Sequence, residues 1–231
     1  MRYIIMSDKS YSIITDARKI IMSIMYFVDT ETTGLNPNIH TVLEFCCVKK
    51  VNRREVDRLS FKIIPSSDDL AAADPQALKI NFFNPEQWHR EGISQQLACR
   101  KIADFMIGSK GSATIAHNVR FDVAMIKSLL FRNNVDHRLP YRLIDTQSVA
   151  YAIFEPLGLR SFSFDSIRDF LGWDKHRAHT AEKDVEDLMR LWDLLSPESI
   201  EECHVSVKEI TVIRKISRSP LNFSNESATN K

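Results

Sequence analysis

A chain of 231 residues, 44% hydrophobic and 26% charged, is long enough to bury one sizeable core and leaves room for a short appendage. A formal net charge of +1 argues against a strongly basic coat for nucleic acid, so any polyanion has to be held at a local site. The four cysteines, Cys46, Cys47, Cys99 and Cys203, form no CxxC pair, which argues against a disulfide framework or a thiolate zinc site and for reduced thiols.

Residues 1–22 carry Asp8, Lys9, Asp16, Arg18 and Lys19 between short apolar pieces, which denies them the unbroken apolar core of a signal peptide. They form a leader whose role the residues do not reveal. No run reaches transmembrane length, so the expectation is a cytoplasmic protein with no membrane partner. Three β-rich runs at 24–28, 42–51 and 59–64 predict a meander of strands. The stretch from Asp68 to Glu91, "DDLAAADPQALKINFFNPEQWHRE", predicts short helical turns and loop. "ISQQLACRKIADFMIGS" then places Ile93, Leu97, Ile102, Phe105 and Met106 at helical spacing and stops at Gly108. "SATIAHN" predicts a short strand, "RFDVAMIKSLLFRNN" a helix, and "YRLIDT" another strand, with Asp145 or Thr146 capping the helix "QSVAYAIF". "SFDSIRDFLGW" and "TAEKDVEDLMRLWDLL" close the domain as helices, the last with a stripe of Ala181, Val185, Leu188, Met189, Trp192 and Leu195.

Strands first and then alternating strand and helix predict an α/β domain over 23–195, with a central mixed five-stranded sheet flanked by helices. From residue 196 the chain turns polar, with Lys208, Arg214, Lys215 and Arg218 against Glu209, and ends in "NFSNESATNK", the composition of a disordered tail.

Three acidic clusters stand out. In "VDTETTGLNP", Asp29 and Glu31 are two apart, so on extended backbone both side chains point to one face. Adjacent acids repel, raise each other's pKa and cost stability unless a cation or strong donors compensate. Thr32, Thr33 and Gly34 follow as a tight turn, where backbone can approach a ligand. In "HNVRFD", Asn118 and Asp122 lie one helical turn apart, although Asn118 alone reads as a helix N-cap and Asp122 as an acid favoured by the helix dipole. In "HRAHTAEKDVED", Asp184 neighbours the apolar stripe of the last helix, an awkward place for an unpaired charge, and its partner on the sheet has to be a cation. His179 precedes that helix.

The order D-x-E-T-T-G, H-N-x-x-F-D, H-x-x-x-x-D resembles the DEDDh branch of the DnaQ-like 3'-to-5' exonucleases, over 23–195. "DPQALKINFFNPEQW" is similar to a segment that many members carry before their next helix. The resemblance implies a ribonuclease H-like fold, with Asp29, Glu31, Asp122 and Asp184 as the metal-binding acids and His179 as general base. His176 competes, but the residue that would be its acid is Ala181, so the register selects His179. It further implies that Thr32, Thr33 and Leu35 contact the 3'-terminal sugar and base, and that Asn118 and Phe121 shape or stack against substrate, Phe121 equally reading as core.

Phosphodiester hydrolysis needs charge stabilised on both the attacking and the leaving oxygen, which two divalent ions supply. All-oxygen ligation suits Mg²⁺, two per site, with Mn²⁺ able to substitute. The expected activity is a metal-dependent 3'-to-5' exonuclease releasing nucleoside 5'-monophosphates from a single-stranded DNA or RNA 3' end, DNA ahead of RNA. The alternatives are a proofreading subunit, or a catalytically silent nucleic-acid-binding adaptor, of a polymerase complex. Expected protein partners are a polymerase or another repair or replication protein, or a second copy of the chain in a homodimer.

Overall fold

The computed structural model describes residues 23–174 and 180–196 in full, together with the backbone of strands at 2–7, 10–15, 200–206 and 211–216. The chain divides into two compact units, one of residues 21–195 and one of residues 1–20 with 196–231. In chain order, β1 (Arg2–Ser7) and β2 (Ser10–Thr15) precede β3 (Ile24–Thr32), β4 (Val42–Val51) and β5 (Arg54–Ile64). Three short helices follow: α1 (Ser67–Ala71), α2 (Pro75–Ile80) and α3 (Pro85–Glu91). Then come β6 (Ile93–Ser94), α4 (Gln95–Phe105), β7 (Ser112–Ala116), α5 (Val119–Arg132), β8 (Arg142–Asp145), α6 (Thr146–Phe154), α7 (Phe164–Leu171) and α8 (Ala181–Leu195). Strands β9 (Ile200–Ser206) and β10 (Thr211–Ile216) close the order.

In the larger unit a sheet of order β6-β5-β4-β3-β7-β8 forms the centre. The first three long strands pair antiparallel, while β7 and β8 are added in parallel to β3, so the sheet is mixed as expected. It has six strands rather than five. The sixth is the two-residue β6, which pairs Ile93 and Ser94 in parallel with Ile63 and Ile64 and is too short to show a period of its own. Side chains set helix starts, among them α4, where Ser94 accepts from Leu97, α6, where Asp145 accepts from Gln147, and α7, where Ser163 accepts from Ser166.

Each face of the sheet carries its own core. Tyr26, Val28, Phe45 and Cys47 pack with Met125, Ile126 and Leu129 of α5 and with Ala98 and Ile102 of α4. Met25, Phe27, Cys46, Val48 and Ile115 pack with Ala181, Val185 and Leu188 of α8. Cys46, Cys47 and Cys99 are buried free thiols. Among the described residues no helix is long and apolar enough to cross a membrane.

In the smaller unit β1–β2 and β9–β10 are antiparallel pairs, joined where Tyr11 faces Val205, in a sheet of order β1-β2-β9-β10. Segments that composition marks as leader and polar tail thus contribute strands to one sheet. Residues 222–231, where the disordered tail was expected, lie outside the described residues.

Candidate active site

The first β-rich run does not stop at Val28. Strand β3 continues through Thr32, with Asp29 opposite Cys46 and Glu31 opposite Glu44, so the two acids are ladder residues rather than turn residues. Alternation puts Met25, Phe27, Asp29 and Glu31 on one face. The apolar pair of that set packs under α8, and the acidic pair emerges beside the N-terminal turn of the same helix, where Asp184 stands. Oxygens of Asp29, Glu31 and Asp184 lie within 4.8 Å of one another.

The opposite parity, Tyr26 and Val28, faces α5, and Thr30 continues it. Thr30 Oγ1 donates to Asp122 Oδ1 at 2.9 Å. Asp122, 3% exposed, therefore belongs to the other side of the strand and meets the cluster around its end.

Repulsion and burial mark Asp29, Glu31 and Asp122. Burial first, then the charges of Asp184, Asp122 and Glu31, hold the Asp29 carboxyl well above the usual range. Glu31 is pushed up to about 8 by burial and by Asp184, Glu44 and Asp122. Asp122 is pushed up to about 7, chiefly by burial, with the Thr30 hydroxyl working the other way. A convergent all-oxygen set that resists ionising together is the donor chemistry of a hard divalent cation. The residues fit such an ion.

Arg168 of α7 was not foreseen. Its guanidinium is 1% exposed and donates from Nη2 to Asp184 Oδ1 at 2.6 Å, from Nε to Asp187 Oδ2 at 2.9 Å and from Nη1 to Asp165 Oδ1 at 3.1 Å. Its Cζ lies over the Phe164 ring, 4.3 Å from the centroid. The cation expected for Asp184 on the sheet is thus supplied from a helix. Lys183 Nζ reinforces Asp187 at 2.6 Å.

The turn after Glu31 is braced from several sides. Thr33 N donates to Thr41 O, and Thr33 Oγ1 accepts from Thr41 N, both at 2.9 Å; Thr32 Oγ1 donates to Gly34 O at 2.8 Å. Gly34 has φ 153°, and a Cβ there would run into the His40 ring. From the α2 segment, Asp74 N donates to Thr33 O and Asn81 Nδ2 to Thr32 O, each at 2.8 Å. Of the three residues expected to contact substrate here, Thr32 and Thr33 are buried and Leu35 is 79% exposed. Next to Asn81, Phe82 is 72% exposed with φ 50°, an uncommon backbone for a bulky side chain.

Asn118 does not cap α5 with its side chain. It enters the helix with φ 66°, in the left-handed region, and makes no side-chain cap bond, because such a bond needs extended backbone at that position. Its N–H donates instead to Asp145 Oδ1 at 2.8 Å, and the residue is exposed. Phe121 is half-buried against the α4–α5 core. His179 and His176 lie outside the described residues.

With this geometry in place, the exonuclease family RNase_T matches residues 26–192. The chain belongs to the RNase T/DnaQ-like exonuclease family. Among relatives in the family, it is 29% identical over 164 residues to DNA polymerase III subunit epsilon of Treponema pallidum (strain Nichols), covering 71% of this chain and 72% of the relative. It is also 29% identical over 170 residues to ribonuclease T of Buchnera aphidicola subsp. Acyrthosiphon pisum (strain APS), covering 67% and 73%. The fold is that of E. coli exonuclease I, solved in complex with a dT13 oligonucleotide, with TM-score 0.64 and 21% identity over 75% of this chain. The chain spans 41% of that protein.

Proposed function

We propose that the protein is a 3'-to-5' exonuclease that hydrolyses the terminal phosphodiester of single-stranded nucleic acid, DNA ahead of RNA, and releases nucleoside 5'-monophosphates. The observation that carries this reading is the convergence of Asp29, Glu31 and Asp184 within 4.8 Å, beside Asp122, in a chain of an exonuclease family. Two Mg²⁺ ions, when bound, supply charge stabilisation for the attacking and leaving oxygens, with Mn²⁺ as substitute.

In this reading Asp29 of the central strand, with Glu31 and Asp184 on the α8 side and Asp122 on the α5 side, would hold the ions. His179 takes the proton from the attacking water, a task that suits an imidazole of ordinary pKa near 6.5. The rigid turn of Thr32 and Thr33 presents the exposed Leu35 to the terminal nucleotide. Purified protein is expected to shorten a 5'-labelled single strand in Mg²⁺ or Mn²⁺ and not in EDTA. Inactivity on both DNA and RNA with either metal would refute the reading. Likeness to a polymerase III epsilon subunit supports a polymerase partner, testable by co-purification.

His179→Ala is expected to lower kcat by about 10² to 10⁴, the usual share of a positioned acid–base group, with the Mn²⁺ dissociation constant unchanged within about threefold, since the family resemblance implies that the imidazole is a base and not a ligand. Calorimetric loss of metal binding would reassign the histidine to the ion.

Phe82 offers an exposed ring on the segment tied to Thr32, and an aromatic face is sequence-tolerant stacking surface for a single-stranded base. Phe82→Gly removes the ring and relieves the positive φ. The expected result is a roughly tenfold higher KM on single strands, the low end of one lost base stack, without loss of thermal stability. An unchanged KM would leave Phe82 as bare surface.

A further inference from the structure

Arg168 stands out because it is a fully buried cation directed at one of the acids that the proposed reading assigns to metal. Its three donor positions reach three carboxylates on two helices: Asp165 on its own helix, and Asp184 and Asp187 on α8. Asp187 is already paired with Lys183. Asp184 has Nη2 on Oδ1 at 2.6 Å, while an oxygen of the same residue belongs to the group shared with Asp29 and Glu31. The acid cluster therefore carries its own counter-charge inside the protein.

We propose that Arg168 is a positioning residue that acts as a resident counter-cation, holding Asp184 in place in the metal-free protein and competing with divalent metal for the negative charge of the cluster. This inference rests on the reading of that cluster as a metal site. Two effects oppose each other on removing the guanidinium. Asp184 loses its anchor, which weakens metal binding by the cost of ordering one short side chain. A buried positive charge one carboxylate away from a divalent ion also disappears, which strengthens binding. Coulomb repulsion at that separation, with partial desolvation, outweighs the ordering of a single aspartate. The net effect of Arg168 is a metal-free fold that tolerates its own acids and a metal affinity set below what the carboxylates alone would give.

The geometry also separates charge from shape. A lysine brings a point charge on a flexible stem and cannot donate in three fixed directions. It keeps the competition with metal and loses much of the bracing.

The test uses the full chain. Wild type, Arg168→Gln and Arg168→Lys are titrated with MnCl₂ by isothermal calorimetry and melted in EDTA and in saturating Mn²⁺. The Gln variant is expected to bind Mn²⁺ at least tenfold more tightly and to melt roughly 10 °C lower in EDTA, the usual scale for breaking a buried ion pair in a chain of this size. Its Mn²⁺-induced rise in melting temperature is then larger than that of wild type. The Lys variant is expected to bind within about threefold of wild type and to melt between the other two in EDTA. Equal or weaker Mn²⁺ binding by the Gln variant, or a Lys variant that follows it, overturns the inference and shows Arg168 to be a brace for Asp184. If the Gln variant does not fold in either condition, the Lys variant decides on affinity alone. Absence of Mn²⁺ binding by wild type overturns the metal reading and this inference with it; wild-type binding with the wrong variant order overturns only the inference.

Discussion

Asp29→Ala is expected to abolish turnover while leaving the metal-free fold as stable as wild type or more so. Asp29 is hemmed in by like charge, with Asp184, Asp122 and Glu31 all acting on it, and it lies in the central strand between its two ladder partners β4 and β7. Removing it would take a ligand from the proposed metal site. Metal stabilisation of transition-state charge is worth several kcal/mol, and each 1.36 kcal/mol is tenfold, so a loss of at least about 10³ in kcat/KM follows. On the stability side the substitution deletes a carboxyl whose ionisation burial opposes, and alanine at a partly open position leaves little cavity. The check is a pair of melts. In EDTA the variant should match or exceed wild type; in Mg²⁺ the order should reverse, because only wild type gains from the ion. A variant that collapses in EDTA would show that Asp29 holds the strand in place.

What could be read from the residues was whatever repeats locally. The stripe of α8 recurs with helical period, and the two-residue alternation of β3 places Asp29 and Glu31 on one face. The apolar run stops at Val28, and Asp and Glu are depleted in strands, yet the ladder to β4 carries on through them and makes the sheet hold the acids rigidly. Arg168 carried a local signal that went unused. Phe164, Ile167, Arg168 and Leu171 fall at i, i+3, i+4 and i+7, so a charge sat on the apolar stripe of a short helix. Looking for the partner of Asp184 only on the sheet missed it. The pairing of β2 with β9 joins the two ends of the chain, and no window of sequence contains both. Asn118 shows a further limit: the residue type suits an N-cap and also suits left-handed backbone, and only the φ of 66° separates the two.

The second large effect expected is a pH dependence that metal reverses. Ordinary aspartate and glutamate ionise near pH 4, whereas in the folded protein Glu31 is pushed up to about 8, Asp122 up to about 7 and Asp29 well above its usual range. The native state therefore holds protons that the unfolded chain has already released. Below about pH 4 these groups are protonated in both states and cost nothing. As pH rises from there the unfolded chain ionises first, and stability falls while the folded acids keep their protons, through about 7 for Asp122 and about 8 for Glu31. The metal-free protein should therefore lose melting temperature as pH rises from 5 to 8, by more than about 10 °C. A divalent ion acts in the opposite direction. Metal binding requires ionised ligands and releases their protons, so its stabilisation should be small at pH 5.5 and grow through pH 8. Melting in EDTA and in Mg²⁺ across that range tests both signs, and proton release on adding Mg²⁺ in weak buffer at pH 7 provides a second readout. A metal-induced shift that stays flat with pH would mean that the acids are already ionised in the metal-free fold and that Arg168 alone neutralises them.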